Sequence, residues 1–389
     1  MSESRIYMDY NASTPVTPAA VEAMLPYLKE ESAFGNPSRP HWAGLEARVG
    51  LTEAKPHVAR LFNCTPDEVI FTSGGTESNN HAIKGVYYAL KAQGEPCHII
   101  TTAVEHPATL KVLEFLEKVH GARVSIIPTD AEGAVNVELL AAAISEDTRL
   151  ISVMHANNEY GTIQPIEQIA DLIEQHQSPQ KPIYLHVDCV CSAGKIPIDV
   201  RAMKADLASI SGHKLYAPKG IGALYVRSGL NPGNQSPESS HLASLVHGAG
   251  QQAGFRSGTD SVPLAAALGA ACKEALEHLP EMSDVESLSE LLREQLTNNF
   301  GEKLVIFGSH SSSQRLPNTV CFSFPGTKGE ELLAKLPEFA ATAGPGCSDV
   351  VKAMGVAEPV ALGAIRCSLG KFSTRSHIEH LIAELKKLL

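Results

Sequence analysis

A carboxylate and an amine stand at the ends of two successive β-branched segments of this chain. One segment closes with His186-Val187-Asp188, and the next closes with Ser211-Gly212-His213-Lys214. A lysine amine can form a Schiff base with a carbonyl compound, and an aspartate can pair with a cationic ring nitrogen. Each residue also has an ordinary alternative, because Asp188 could cap a turn and Lys214 could be a solvated strand terminus.

A glycine-rich turn, Ser73-Gly74-Gly75-Thr76-Glu77, follows another apolar segment and opens a predicted helix. Bare backbone N–H groups and the positive end of the helix dipole make such a turn suited to bind a phosphate. The alternative is an ordinary glycine turn with a threonine cap. The turn is not a Walker loop, since the chain contains no Gly-x-x-x-x-Gly-Lys-Ser/Thr sequence.

These three features together indicate a site for pyridoxal 5′-phosphate (PLP). This coenzyme requires a lysine that forms a Schiff base, an acid for its pyridinium nitrogen and a pocket for its phosphate. In an open parallel sheet, ligands bind beyond the carboxyl ends of the strands, which is where Asp188, Lys214 and the glycine turn would lie. We therefore predict that the chain binds PLP.

Short β-branched segments alternate with helical stretches from about Val16 to Arg227. Strands are predicted at 68–72, 98–101, 123–127, 150–153, 183–187 and 207–210, and helices at 78–93, 108–120 and 166–177. This alternation is typical of an α/β fold with a mostly parallel sheet. We predict a large PLP-binding domain over residues 16–262. Residues 228–240, which are rich in Gly, Pro, Asn and Ser, are predicted to form an exposed excursion.

The pattern changes after Pro263. Helices are predicted at 264–279 and 285–299, strands at 304–307 and 319–324, and a closing helix at 377–389. We predict that residues 1–15 and 263–389 form a smaller α/β domain. Two domains agree with the length of 389 residues.

Composition argues against several classes of protein. The net charge of −11 and the lack of a basic run argue against a nucleic-acid surface. No apolar stretch approaches the roughly 20 residues of a membrane span, and no signal peptide is evident, so we expect a cytoplasmic protein. The eight cysteines are too sparse for a disulfide framework. Cys189-x-Cys191 lacks the spacing of a zinc site, and we predict no metal.

The ordered motifs resemble those of the cysteine desulfurases and selenocysteine lyases of the class V aminotransferase superfamily. Members are fold-type I PLP enzymes, so the resemblance implies this fold and this cofactor. The matching segments span nearly the whole chain, at 8–12, 35–38, 71–80, 105–106, 157–159, 186–188, 211–214, 256–259 and 365–370.

The resemblance implies a role for each of four residues in the reaction. Lys214 would hold PLP and remove the proton from the substrate's Cα. Asp188 would bond the ring nitrogen, and His106 would stack on the ring. Arg366 would bind the substrate carboxylate, which suits the bidentate geometry of a guanidinium.

The resemblance implies further contacts with the cofactor and the substrate. Asn158 would bond the phenolic oxygen of PLP or the substrate, and Asn36 would contact the substrate. The residues implied for the phosphate site are Gly75, Thr76, Ser211 and His213, with Thr259 supplied by the neighbouring subunit. The site would therefore require a homodimer.

Cys347 is the candidate sulfur acceptor. Family members carry a cysteine after a small, Gly-rich segment ahead of the arginine motif, and Thr342-Ala343-Gly344-Pro345-Gly346-Cys347 is the only such place in this chain. The reaction would convert L-cysteine to L-alanine and leave a persulfide on Cys347. The alternative is that Cys347 is a partly buried loop thiol without a catalytic role.

Two departures from the family pattern bear on the reaction. The loop after Cys347 is shorter than in desulfurases with mobile sulfur-delivery loops, which favours a local reaction ending in released sulfide or selenide. Cys191 stands where the family usually has a glutamine, and a thiol is a weaker donor to the phenolic oxygen of PLP. Alternatively, Cys191 simply packs beneath the cofactor.

We predict a homodimeric PLP-dependent cysteine desulfurase that acts on L-cysteine and could pass sulfur to an acceptor protein. Three alternatives remain open. The chain could act on L-selenocysteine as a selenocysteine lyase, or eliminate sulfide as a C–S lyase and give pyruvate. It could also be a non-catalytic PLP-binding scaffold, although Lys214, Asp188, His106 and Arg366 are all present.

Overall fold

A computed structural model describes residues 5–29, 33–178, 180–230 and 241–389. Most of the excursion predicted at 228–240 lies outside these ranges. The strands are β1 (Ile6–Tyr7), β2 (Val69–Thr72), β3 (His98–Thr102), β4 (Arg123–Ile127), β5 (Thr148–Met154), β6 (Tyr184–Asp188), β7 (Leu207–Ser211), β8 (Gly222–Val226), β9 (Val305–Phe307), β10 (Thr319–Ser323), β11 (Phe339–Ala340), β12 (Thr342–Ala343) and β13 (Ala364–Ser368).

The helices include every one predicted from the sequence, each within three residues of its expected bounds. They are α1 (Pro18–Met24), α2 (Trp42–Phe62), α3 (Gly75–Ala92), α4 (Pro107–His120), α5 (Val137–Ala143), α6 (Ile166–His176), α7 (Val262–Glu277), α8 (Met282–Phe300), α9 (Gly329–Leu333), α10 (Pro345–Ala353), α11 (Glu358–Ala361) and α12 (Arg375–Leu388).

The large sheet has the strand order β2-β8-β7-β6-β5-β3-β4. All of its strands run parallel except β8, which is antiparallel to both neighbours. The predicted α/β fold with a mostly parallel sheet is thus confirmed. Helices α3 and α4 cover one face, and α2, α5, α6 and α7 contribute to the core on the other. Burial on both faces explains why the inner strands are continuous apolar runs.

Strand β8 was not predicted, and it supports the glycine turn. Gly222 at its start lies so close to Gly74 that a Cβ atom on Gly222 would be 2.7 Å from the Cα of Gly74. Only glycine permits this approach. The antiparallel strand therefore packs directly beneath the segment that begins α3.

A second sheet, with the order β12-β13-β10-β9, is antiparallel and packs against α8 and α12. Strand β1 pairs with β11, so the N-terminal segment joins this second core. Helix α7 instead packs its buried residues in the core of the large sheet. The exact domain division at residue 263 stays a prediction.

The segment that carries Cys347 is not the loop that we expected. Pro345–Ala353 form α10, with Pro345 in its first turn and Gly344 as the N-cap residue at φ 103°. Cys347 and Val351, four residues apart, both face an apolar cluster. The apolar spacing and the glycine cap together explain why a segment rich in Gly and Pro becomes helical.

No helix in the described ranges is both long and apolar enough to cross a membrane. The same ranges contain no group of three or more His, Cys, Asp or Glu side chains that could hold a metal ion.

Candidate active site

A cavity of about 320 Å³ lies at the carboxyl ends of the parallel strands. It collects side chains that are far apart in the sequence, because most of them lie at or just beyond the ends of neighbouring parallel strands. The predicted site residues that line it are Gly75, Thr76, His106, Asn158, Asp188, Cys191, Ser211, His213, Lys214 and Arg366.

The glycine turn forms one wall of this cavity. Gly74 has φ 149°, and a Cβ atom on Gly75 would lie 2.6 Å from the Cγ2 atom of Val190. Glycine is therefore required at both positions. The first N–H groups of α3 have no acceptor within the helix, so they are available to an anion at its N-terminus.

Asp188 is held rigidly at the end of β6. Its Oδ1 accepts the N–H of Val190 at 2.9 Å, and its Oδ2 accepts the side-chain amide of Asn79 at 2.6 Å. The Oδ1 atom of Asn79 is buried without a hydrogen-bond partner among the described residues. Asn79 is not among the residues predicted from the sequence, although it lies four residues after Gly75 and therefore on the same face of α3.

Lys214 follows β7 in a short 3₁₀ turn. Its ammonium donates to the backbone carbonyls of Asn11 and Ala12, with the latter contact at 2.9 Å. Burial lowers the pKa of Lys214 from its usual value, and the charge of Lys195 adds to this effect. A lowered pKa increases the neutral amine, which is the form that attacks a carbonyl.

His106 is the N-cap residue of α4 and exposes its ring to the cavity. Its Nδ1 accepts the N–H of Ala108 at 3.0 Å, which leaves the proton of the neutral ring on Nε2. The ring is thus fixed at one edge while its face remains open to an aromatic ligand.

Glu105, which is not among the residues predicted from the sequence, anchors the loop that carries His106. Its Oε1 accepts bonds from the Thr102 hydroxyl at 2.7 Å and the Met154 N–H at 3.0 Å. Burial raises the pKa of Glu105 to about 8. Glu105 is therefore mostly protonated at neutral pH and ties the ends of β3 and β5 together without a full charge.

Arg366 lies on β13 within a network of acceptors. One terminal nitrogen contacts Glu159 Oε1 at 2.8 Å, and the other contacts Asp9 Oδ1 at 2.6 Å. Burial alone would lower the pKa of Arg366, but the charges of Glu159 and Asp9 raise it. The Nε atom has no partner among the described residues. A substrate carboxylate would have to share or displace one of these two acidic partners.

Cys191 lines the cavity, whereas the neighbouring Cys189 packs in the core of the large sheet. The backbone carbonyl of Cys191 accepts a hydrogen bond from the Nζ of Lys195 at 2.7 Å. This second buried lysine lines a different cavity, on the other side of Lys214.

Three predicted residues are not brought to the cofactor cavity within one protomer. Asn36 lies in the segment before α2 and accepts the N–H of Ser38 at 3.0 Å. Thr259 is exposed and lines a separate cavity of about 150 Å³ with Ser73. Cys347 is fully buried in α10.

The thiol of Cys347 contacts another cysteine. Its Sγ lies 3.7 Å from the Sγ of Cys321 on β10. This contact and burial raise the pKa of Cys347 well above its usual value. In this arrangement Cys347 is a neutral thiol, which is a poor nucleophile.

The residues around the cavity fit PLP. An amine with a lowered pKa, a buried carboxylate and a glycine-lined helix N-terminus meet in one space, and an exposed imidazole lies at its edge. Asn79 and Arg366 also keep buried polar atoms without partners beside it. Lys214, Asp188 and the first turn of α3 would hold the aldehyde carbon, the ring nitrogen and the phosphate respectively.

Comparisons with known proteins agree with this site. The aminotransferase class-V family matches residues 6–381. The cysteine desulfurase IscS of Dictyoglomus turgidum is 38% identical over 394 residues, covering 99% of this chain and 94% of the relative. A solved NifS-like protein is 35% identical with a TM-score of 0.88, covering 99% of each chain.

A second solved structure, SspA in complex with cysteine, is 33% identical with a TM-score of 0.78 and covers 95% of this chain and 100% of its own. These matches confirm the resemblance that the motifs indicated. The chain belongs to the class V aminotransferase family and, within it, to the cysteine desulfurases.

Proposed function

We propose that this chain is a PLP-dependent cysteine desulfurase that converts L-cysteine to L-alanine and takes the sulfur onto Cys347 as a persulfide. The observation that carries this proposal is the convergence of Lys214, Asp188 and the glycine turn on one cavity. Relatives of nearly the same length carry the name cysteine desulfurase, and a solved relative binds cysteine.

Bound PLP supplies an electron sink that weakens the Cα–H bond of the substrate. Lys214 is placed to form the covalent link and to accept the Cα proton, because its lowered pKa favours the neutral amine. Asp188, fixed by Asn79 and Val190, would pair with the ring nitrogen and favour its protonated form. His106, at the edge of the cavity, would stack on the ring.

The sulfur-transfer step belongs to Cys347. Its thiolate attacks the substrate sulfur, so that a new S–S bond forms as the substrate's Cβ–S bond breaks. The carbon fragment keeps the electron pair, gains a proton and leaves as alanine. The step requires α10 to shift, because the thiol is buried beside Cys321 rather than exposed in the cavity. Gly344, with φ 103°, lies where the shift would begin.

Replacement of the acceptor thiol tests this proposal. Cys347→Ala should keep PLP bound but lose both alanine formation and the persulfide, which mass spectrometry of the wild-type protein should find on Cys347. Cys272→Ala removes another buried thiol, in α7, and should behave as wild type. Full alanine production by Cys347→Ala would remove this residue from the mechanism.

One observation favours a second candidate function, a C–S lyase that releases sulfide and pyruvate. The Cys347 thiol is 0% exposed and its pKa is raised, so the described arrangement does not present this acceptor to the substrate. Alanine marks the desulfurase, whereas pyruvate and ammonia mark the lyase. Parallel assays with L-selenocysteine test the selenocysteine lyase alternative, and no turnover of any of these substrates would support the scaffold.

The proposal includes a homodimer in which Thr259 of one protomer completes the phosphate site of the other. Exposure of Thr259 beside the glycine-turn residue Ser73 supports this arrangement. Contacts of Asn36 with substrate, a sulfur-acceptor protein and a cytoplasmic location are also part of the proposal. Sedimentation analysis tests the dimer, and cell fractionation tests the location.

A further inference from the structure

The proposed mechanism uses Cys347 but leaves its neighbour Cys321 without a role. Both thiols are 0% exposed, and their sulfur atoms are 3.7 Å apart, which is close to van der Waals contact. The two residues lie on different elements, β10 and α10, so the contact is made by tertiary packing rather than by sequence proximity.

Cys321 also lies next to the wall of the active site. It pairs directly with Arg366 across the antiparallel strands β10 and β13. Directly opposed residues of an antiparallel pair point to the same face of the sheet, so the Cys321 thiol lies on the face that carries the Arg366 guanidinium. Arg366 lines the cofactor cavity. Cys321 is therefore the cross-strand neighbour of a residue in the cavity wall.

The space around the two sulfurs is apolar. The buried cluster that contains them also includes Val104, Tyr160, Phe307, Val351, Met354, Ala361 and Ala364. In such a space a persulfide is shielded from an external acceptor protein, and the nearest nucleophile is the sulfur of Cys321. Thiol–disulfide chemistry depends on this kind of access as much as on thiol reactivity.

We propose that Cys321 is a resolving thiol that converts the Cys347 persulfide into a Cys321–Cys347 disulfide and releases sulfide. This inference rests on the proposed function, because that function places the persulfide on Cys347. It assigns a further catalytic residue and makes hydrogen sulfide the released product.

The atoms and electrons of this step balance. The Cys321 sulfur attacks the Sγ of Cys347, the new Sγ–Sγ bond forms, and the bond from Cys347 Sγ to the outer sulfur breaks. The outer sulfur leaves with the electron pair and with protons as hydrogen sulfide. In this step the Cys321 sulfur is oxidised and the outer sulfur is reduced to the level of sulfide, while the Cys347 sulfur keeps its oxidation state, so no other oxidant is needed. A thiol reductant, either a low-molecular-weight thiol or a dithiol protein, must reduce the disulfide before the next cycle.

A single-turnover experiment tests the inference. The reduced holoenzyme is freed of reductant and mixed with one equivalent of L-cysteine per protomer, and alanine, sulfide and persulfide are then measured. Peptide mass spectrometry without reduction maps the disulfide. Wild-type enzyme should give sulfide, alanine and Cys321–Cys347 disulfide in a ratio of about 1:1:1.

Variants separate the resolving step from sulfur transfer. Cys321→Ala should still form alanine but keep the persulfide on Cys347, with sulfide release reduced by about tenfold or more. Cys321→Ser, which is closer in size and equally unable to resolve, replaces it if the alanine variant does not fold. Cys367→Ala is the matched control, because Cys367 is equally buried but packs in the core on the other face of β13. It should behave as wild type.

The outcomes distinguish this inference from the function on which it rests. Alanine formation with a lasting Cys347 persulfide and no disulfide in the wild-type enzyme would overturn the resolving role and leave the desulfurase function intact. Absence of alanine from the wild-type reaction would overturn the proposed function and this inference with it.

Discussion

Two buried lysines near the cavity illustrate how position decides chemistry. Burial lowers the pKa of both Lys195 and Lys214. Lys214 faces the cofactor cavity, whereas Lys195 donates to the carbonyl of Cys191 and lies outside the lining of that cavity. A lowered lysine pKa is therefore insufficient to identify the reactive amine, and our proposal of Lys214 rests on its position in one cavity with Asp188 and the glycine turn.

Replacement of each lysine should separate their roles. In Lys214→Ala, borohydride treatment should no longer fix PLP to the protein, and alanine formation should fall by about 1,000-fold. Lys195→Gln keeps a donor for the Cys191 carbonyl and should retain the fixed cofactor. Mass spectrometry locates the adduct, and a cofactor found on Lys195 of the wild-type protein would contradict the assignment.

Glu105 should make the folded protein less stable as the pH rises. Its folded pKa of about 8 lies above its unfolded value of about 4.3, so the folded state binds the proton more tightly. The unfolding free energy should therefore lose a contribution between about pH 4.3 and 8, and the loss should be complete above that range. Glu105→Gln cannot ionise and should remove this part of the pH dependence.

Urea unfolding at several pH values measures the effect. Relative to wild type, Glu105→Gln should gain stability with rising pH and reach a plateau above about pH 8. A stability difference between the two proteins that is the same at acidic and alkaline pH would show that Glu105 does not titrate as described.

At the scale of elements, the strands that carry the site are joined by side chains as well as by backbone bonds. The ring of His186 on β6 forms hydrogen bonds with serines on both neighbouring strands. Its Nδ1 lies 2.8 Å from the Oγ of Ser152 on β5, and its Nε2 lies 3.0 Å from the Oγ of Ser209 on β7. Burial lowers the pKa of His186 to about 4. The neutral ring therefore links three strands just before Asp188.

His186→Ala should destabilise the fold by about 2–4 kcal/mol, because it leaves two buried hydroxyls without a partner and opens a cavity. The pH dependence should also change. In the wild type the unfolded chain protonates below about pH 6.5 while the folded ring stays neutral, so His186 costs stability as the pH falls towards 4.

Urea titrations of both proteins at pH 7 and pH 5 measure these effects. The exposed His176 on α6 is the control, and His176→Ala should change stability by less than about 0.5 kcal/mol. Equal stabilities of His186→Ala and wild type at pH 7 would contradict the linking role.

The elements and residues that could be predicted from the sequence are those marked by a pattern of neighbouring residues. Asp188 ends one β-branched segment and Lys214 follows the next after a short turn, and the parallel-sheet rule alone predicts that they meet. The strands β1, β11 and β12 have two residues each, too few to show a pattern. Helix α10 was missed because Gly344-Pro345-Gly346 is also typical of a turn.

Other features depend on tertiary packing, and no pattern of neighbouring residues in the sequence indicates them. Glu105 gains its role from burial between β3 and β5, and the contact of Cys321 with Cys347 joins two elements 26 residues apart. The acidic partners of Arg366 come from two further segments, which hold Asp9 and Glu159. Such groupings follow only from the folded chain.

At the scale of the whole molecule, the cavity draws on both sheets, because Arg366 comes from β13 and the remaining predicted lining residues follow strands of the large sheet. Thr259, predicted to bind the phosphate, is absent from this lining and lies exposed beside Ser73. The proposed homodimer, in which a second protomer completes the site, would account for both facts.

Complementation between inactive variants tests the shared site. Thr259→Glu should repel the phosphate and, like Lys214→Ala, be inactive alone. A heterodimer of the two, isolated through different affinity tags, contains one intact site and should recover about half of the wild-type activity. A heterodimer of Lys214→Ala and Asp188→Ala is the control and should stay inactive, since these residues line the same cavity of one protomer. No recovery in the first pair would contradict a shared site.

The ratio of alanine to pyruvate formed from L-cysteine by the PLP-loaded protein tests the central claim most directly. Sulfur transfer to Cys347 predicts alanine as the carbon product, with pyruvate below about a tenth of it. Pyruvate and ammonia as the main products would contradict transfer of sulfur to the protein.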